Sequence, residues 1–323
     1  MKKPKILVVG SFVMDLIVRS KRFVNAGETI LGDDYNTASG GKGANQAVQA
    51  ALLGANVSML GKVGEDAFGK EMVESLNKAG VDTSMVLKTN KVSSAIGNVQ
   101  IQSNEQGTQN RIVVVSGANM TITPEEVAFL KEDISNFDMV IMQLEIPMEI
   151  NEIVAEYAYN KGVPVMLNPA PSAPLSDKFL SHLTYISPNE HEAADIVGFP
   201  VTDDESCLKA LKALHDKGVK KVLITRGSDG AVYSDENGII FSSSVKCEKV
   251  LDPTAAGDSF IGAFCTATCY GLTAEDALKF ANHTASITVS RLGAQPSLPT
   301  VAEVLDFMKS KNVENIEKFL VLE

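Results

Sequence analysis

Residues 139–171 read MVIMQLEIPMEINEIVAEYAYNKGVPVMLNPAP and hold a complete strand–helix–strand unit. Met139–Leu144 and Val163–Leu167 are short apolar runs of strand length, and Glu149–Asn160 between them carries a helical pattern. Strands with no alternating polar positions are those covered on both faces, as in a parallel sheet. The rhythm extends outward from this unit. Lys5–Val9, Val57–Val63, Thr184–Ile186 and Lys221–Thr225 read as further strands, with Ala44–Leu53, Phe68–Ala79, Glu125–Ser135 and Ser206–Lys217 as helices. Thr123-Pro124-Glu125-Glu126 is a helix start, with a capping hydroxyl, proline in the first position and acids in the first turn. The alternation predicts an α/β fold, three-layer α/β/α on a mostly parallel, doubly wound sheet, with ligand sites beyond the carboxyl ends of the strands.

Two segments break the rhythm. Val13–Ser39 and Val92–Val115 carry strand patterns with no helix between, and the second reads as a hairpin around Asn104-Glu105-Gln106-Gly107. They predict a small antiparallel β-sheet lid, residues 13–39 and 92–115, interleaved with a core of residues 1–12, 40–91 and 116–323. Such an appendage can close over a substrate and exclude water. The alternative is an edge extension of the main sheet.

The chain has 323 residues, enough for one large α/β unit or about two domains. Its formal charge is −11 with no long basic cluster, which argues against nucleic acid or an anionic membrane surface as partner. MKKPKILVVGSFVMD opens like a secretion signal, but Asp15 interrupts the apolar run and no small-residue cleavage site follows, so it reads as a buried strand. The longest uncharged stretch, Ser259 to Ala274, is too short for a membrane span, and the expected setting is cytoplasmic. Cys207, Cys247, Cys265 and Cys269 form no CxxC pair and the four histidines no paired-ligand spacing, so a protein-built zinc site is not expected.

Four motifs carry chemistry. Gly40-Gly41-Lys42-Gly43-Ala44-Asn45 leads straight into a helix, its glycines permitting close approach while Lys42 and Asn45 supply polar groups suited to a polyhydroxylated ligand. It is neither a Walker A loop nor a GxGxxG fingerprint, which discourages a nicotinamide-dependent oxidoreductase, and a plain structural turn is the alternative. Asp252-Pro253-Thr254-Ala255-Ala256-Gly257-Asp258 puts small residues at a helix N-terminus, where successive N–H groups suit a phosphate. Asp258 is then either a helix cap or a general base beside a transferring phosphoryl group. Asn189-Glu190-His191-Glu192 follows a strand and could organise hydrated Mg²⁺ or simply cap a helix. Thr225-Arg226-Gly227-Ser228-Asp229-Gly230 suits nucleotide phosphates or a hairpin turn.

Taken together and in order, GGKGANQA, NPAP, PNEHE, DPTAAGDSF and GAQPS resemble the ribokinase-like carbohydrate kinase family over nearly the whole chain. The resemblance implies ATP as phosphoryl donor, Mg²⁺ as working metal, K⁺ as activator, and a homodimer formed through the lid. It implies a sugar kinase, with D-ribose at its 5-hydroxyl as first candidate; fructose, another sugar or a nucleoside is the alternative, and a non-catalytic sugar- or nucleotide-binding relative the rival of a different class. Carried over, Asp258 would be the base and Ala255, Ala256 and Gly257 the anion hole. Val13, Asp15, Gly41, Lys42, Gly43, Asn45 and Glu145 would line the sugar. Asn189, Thr225, Arg226, Gly227, Ser228, Gly230, Gly257 and Asn282 would face the nucleotide, and Glu192 the Mg²⁺ water shell. Oxygens of Asp252, Thr254, Thr288, Arg291, Gly293 and Ser297 would hold K⁺, and Arg111 would stand near the site. One position departs from the family pattern: Val13 occupies a place where relatives usually carry Asn, and a missing sugar partner costs on the order of 1–3 kcal/mol.

Overall fold

A computed structural model describes residues 2–104 and 107–322. Glu105 and Gln106, the tip expected for the second hairpin, lie outside the described residues. The strands are β1 (Lys5–Val9), β2 (Val13–Ser20), β3 (Asp34–Gly40), β4 (Asn56–Gly64), β5 (Val86–Thr89), β6 (Ile96–Asn104), β7 (Gly107–Val115), β8 (Met139–Met142), β9 (Val165–Leu167), β10 (Tyr185–Ile186), β11 (Lys221–Thr225), β12 (Ala231–Asp235) and β13 (Gly238–Ser242). The helices are α1 (Lys42–Leu52), α2 (Ala67–Lys78), α3 (Pro124–Val127), α4 (Leu130–Asp133), α5 (Met148–Lys161), α6 (Asp177–Ser181), α7 (Glu190–Val197), α8 (Asp204–Asp216), α9 (Ala256–Cys269), α10 (Ala274–Val289) and α11 (Val301–Ser310).

Nine strands form one sheet in the order β13-β12-β11-β10-β9-β8-β1-β4-β5. Pairing is parallel from β5 through β11, and only β12 and β13 run antiparallel at one edge. Successive side chains leave opposite faces of a strand. On β1, Ile6 and Val8 therefore enter one apolar core with α1, α9 and α10, while Leu7 and Val9 enter a second with α5 and α8. Met139 and Ile141 of β8 join the first core, Val140 and Met142 the second. Two cores on one sheet are what the unbroken apolar strands called for.

β2, β3, β6 and β7 form a separate four-stranded sheet in the order β3-β2-β6-β7. The antiparallel pairs β2–β3 and β6–β7 abut through a parallel pairing of β2 with β6, so the segments do not extend the main sheet. The helix expected over Glu125–Ser135 is instead α3, α4 and a 3₁₀ turn, Ile134–Asn136. Ala128 N–H donates to Glu125 and Lys131 N–H to Ala128, three residues back, and this tighter winding breaks the α-helical run. β9 begins at Val165 rather than Val163, since Pro164 has no N–H to give the ladder. Among the described residues, no helix is long and apolar enough to cross a membrane.

Candidate active site

The carboxyl ends of the parallel strands open into a cleft of about 750 Å³. It gathers Lys42, Asn189, Glu192, Thr225, Gly227, Ser228, Gly230, Ala255, Ala256, Gly257, Asp258 and Asn282, residues scattered over 240 positions of sequence. Its floor is the start of α9. Ala255, the N-cap, adopts φ 61°, a left-handed conformation that costs an L-residue about 1–2 kcal/mol. No side chain caps this helix; Ala256 N–H donates to Pro253 O at 3.2 Å, which leaves the N–H groups of Gly257 and Asp258 to the cleft.

Asp258 stands in that first turn, and the structure decides against the capping role. Its carboxylate turns instead to α1: Asn45 Nδ2 donates to Oδ2 at 2.9 Å and Gln46 Nε2 to Oδ1 at 3.0 Å. Asp258 is only 7% exposed, yet it lines the cleft. α1 can approach because its glycines leave room. Gly41 has φ 96° and a Cβ there would lie 2.7 Å from Val13 N; at Gly43 it would lie 2.5 Å from Ser11 N.

A second pair of carboxylates, Glu145 and Asp15, stands near the start of α1. Glu145 Oε2 accepts from Lys42 N–H at 3.0 Å and from the Ser11 hydroxyl, fixing the start of α1. Asp15 projects from β2 toward Gly97 of β6, where a Cβ would meet its Oδ1 at 2.3 Å. Burial, with the Glu145 charge second, pushes the Asp15 carboxyl up to about 6. Val13, two residues earlier and on the same strand face, has a Cγ1 3.6 Å from that same Cβ position. Arg111, on β7, stacks its guanidinium 4.1 Å from the Phe23 ring centroid.

On the opposite side, Asn189 caps α7 in a reciprocal box: Glu192 N–H donates to Asn189 Oδ1 at 2.9 Å, and Asn189 N–H to Glu192 Oε2 at 2.8 Å. The capping reading therefore holds, and both residues still line the cleft. Burial, the leading cause, raises the Glu192 carboxyl. The 225–230 turn closes the β11–β12 hairpin and lines the cleft as well. Gly230, at φ 93°, admits no Cβ, which would lie 2.0 Å from Ser242 O. Arg226 stands apart: its guanidinium reaches Asp204 at 2.6 Å and Glu190 at 3.8 Å, so its side chain turns from the cleft. Asn282 Nδ2 donates to Ser242 Oγ at 2.9 Å.

Behind the turn that opens α9, Asp252 joins two loops, accepting from Thr254 N–H at 2.9 Å and Gly293 N–H at 3.0 Å. Burial opposes its ionisation, but these donors and the Thr254 hydroxyl hold its carboxyl below the usual range. Thr288 and Ser297 are fully buried, and the Arg291 guanidinium is committed to Glu303 at 2.7 Å. Only the backbone carbonyl of Arg291 remains for an ion.

Four further polar residues complete the site and escaped the sequence reading of roles: Ser11, Gln46, Gln143 and Asn168. Gln46 and Gln143 are fully buried. The signal was present for one of them, since an amide on the apolar face of an alanine-rich helix is costly unless partnered.

A phosphate-suited helix terminus, a buried carboxylate beside it and the neighbouring Asp15 and Glu145 carboxylates are the equipment of a phosphotransferase. Residues 3–301 match the model of the pfkB family carbohydrate kinases, and the chain belongs to that family. It is 42% identical to the ribokinase of Schizosaccharomyces pombe over 93% of this chain and 96% of that protein, and 41% identical to the ribokinase of Bacillus subtilis over 94% and 99%. The solved structure of Arabidopsis thaliana ribokinase complexed with ribose and ATP superposes with a TM-score of 0.88, at 35% identity, over 95% of this chain and 99% of that one.

Proposed function

We propose that this protein transfers the γ-phosphoryl group of ATP to the 5-hydroxyl of D-ribose. The observation that carries the reading is Asp258, a buried carboxylate that lines the phosphate-suited cleft at the start of α9 and is held from α1 by Asn45 and Gln46. Asp258 takes the hydroxyl proton as the oxygen attacks phosphorus, and the free N–H groups of Gly257 and Asp258 face the charge that develops. The Asp15 carboxylate, beside Glu145, and Asn45, whose Oδ1 is buried and unpartnered, await sugar hydroxyls. Gly41, Lys42, Gly43 and Glu145 shape the same end, and Val13 presents methyl groups to it. The 225–230 turn, Asn189 and Asn282 hold the nucleotide, and residues 13–39 and 92–115 act as the lid.

The donor set fits the ions of the reaction. Glu192 keeps one carboxylate oxygen outside its capping box, suited to a water of Mg²⁺, which prefers oxygen ligands and retains its waters. When bound, Mg²⁺ neutralises phosphate charge and orients the donor. Asp252, Thr254, Thr288, Arg291, Gly293 and Ser297 offer only oxygens to K⁺, mostly carbonyls. Four unpaired cysteines agree with a reducing, cytoplasmic setting. The outer lid face, with Tyr35 and Val113 exposed, is where a second copy would pair; sedimentation as a monomer at micromolar concentration would remove that pairing.

A coupled ADP-release assay over pentoses, hexoses and nucleosides tests the reading. D-ribose should rank first, and Asp258→Asn should lower its kcat by roughly 10²–10⁴ while ATP still binds. Fructose or a nucleoside ranking above ribose overturns the substrate; normal turnover by Asp258→Asn overturns the base.

A further inference from the structure

Gln46 lies beneath the base, out of reach of solvent, with every polar atom engaged. Its Nε2 donates to Asp258 Oδ1 at 3.0 Å and to Asn168 Oδ1 at 3.2 Å, and its Oε1 accepts from Gln143 Nε2 at 2.7 Å. A side-chain amide has two N–H donors, and both are used here. The polarity of the chain is forced. Asn168 spends its own Nδ2 on Ser187 O at 3.1 Å, so only its oxygen can face Gln46. Asp258 offers only acceptors when ionised. Two acceptors converging on one atom admit nitrogen there and exclude oxygen, and the Gln46 carbonyl must then face Gln143.

Gln143 is itself tied to the sheet. It follows β8 directly, and its backbone carbonyl accepts from Asn151 Nδ2 at 2.9 Å. A relay of amides thus runs from the ends of β8 and β9 to one oxygen of the base, and Asn45 holds the other from the sugar side. The division of labour follows from burial. Asn45 keeps a trace of exposure and carries an unpartnered Oδ1, whereas Gln46 is fully enclosed and both ends of its side-chain amide are paired.

We propose that Gln46 is a positioning residue: by pinning Asp258 Oδ1 within the Gln143–Gln46–Asn168 relay it presents Oδ2 to the acceptor hydroxyl. The inference rests on Asp258 as base. Misplacing a reacting group by about 1 Å can cost on the order of a hundredfold in rate, and that is the scale of the effect.

Gln46→Leu should lower kcat by roughly 10–100-fold while KM for ribose and for ATP stays within about twofold. Gln143→Leu should lower kcat by about 3–10-fold in the parent and by less than about twofold in the Gln46→Leu background, since the relay is already cut. A purely structural role predicts the same cost in both. Should Gln46→Leu fail to fold, the isosteric Gln46→Glu, which sets a carboxylate against Asp258 and Asn168 Oδ1, carries the test with the same loss of kcat at pH 8. Parent-like kcat in the Gln46 variants, a loss confined to KM, or an equal cost of Gln143→Leu in both backgrounds overturns the proposal. Asp258→Asn in the same assay separates the two levels: its collapse beside active Gln46 variants sinks only the relay, and its normal turnover sinks the base reading with it.

Discussion

The two sheets of this protein are built on opposite plans. The nine-stranded sheet is sealed on both faces, with Leu7, Ile141, Leu167 and Leu223 all fully buried. The four-stranded sheet is open by contrast: Tyr35 is 69% exposed, and the consecutive Ile112, Val113, Val114 and Val115 all exceed 50%, so its edge strand is bare on both faces, while Asp15 is sheltered nearer the sheet's centre. The large sheet supplies stability and the phosphate end of the site. The small one contributes less to the packed core and carries Val13 and Asp15, the residues proposed to face the sugar.

That contrast can be broken in stability first. Phe264, buried between Tyr185 and Tyr233, anchors one face of the large sheet, and Phe264→Ala should destabilise by about 3–5 kcal/mol in denaturant unfolding. Val113→Thr on the open lid face should stay within about 0.5 kcal/mol. Equal losses would show that the lid is as much a part of the folding core as the sheet beneath it. A smaller effect, on substrate alone, comes from Gly97→Ala. The added methyl displaces the Asp15 carboxylate and should raise KM for the sugar on the order of tenfold to a hundredfold, with Tm nearly unchanged. A shift in Tm with KM intact would move Gly97 from recognition to packing.

The smallest effect separates the two regions by pH. Burial and then Glu145 hold the Asp15 carboxyl near 6, so sugar KM should rise as pH falls through that value, by no more than about tenfold per unit. The sign for stability is the reverse. The folded chain binds this proton more tightly than the unfolded one, so the ligand-free protein gains stability from Asp15 as pH falls from 6 toward 4 and loses it as pH rises again. Glu145→Gln removes the second cause and should shift the KM midpoint downward; an unmoved midpoint would leave burial as the whole explanation.

The parts legible in the sequence were those whose physics is local. β1 and β11 were read to the residue, because a short apolar run bounded by polar positions has few other uses. The glycines of 40–43 and the small residues of 255–257 announced close backbone approach. The amide relay was not legible. Gln46 lies 97 residues from Gln143, 122 from Asn168 and 212 from Asp258, and nothing at any one of these positions specifies the others. Arg226 shows the converse, a cation inside a phosphate-like motif whose charge is spent on Asp204 and Glu190. The break in Glu125–Ser135 was hidden too, since helical periodicity does not reveal which carbonyl each N–H will choose.

One methyl group at the mouth of α9 has a consequence for how the anion cradle behaves before any nucleotide arrives. Ala255 is held at a backbone angle that a glycine would visit freely. Because its Cβ narrows the alternatives open to the chain, the turn trades ease of formation for fixity of shape. Replacing it with glycine would relax the turn and let the cradle wander, and binding would then have to supply the order that alanine already provides.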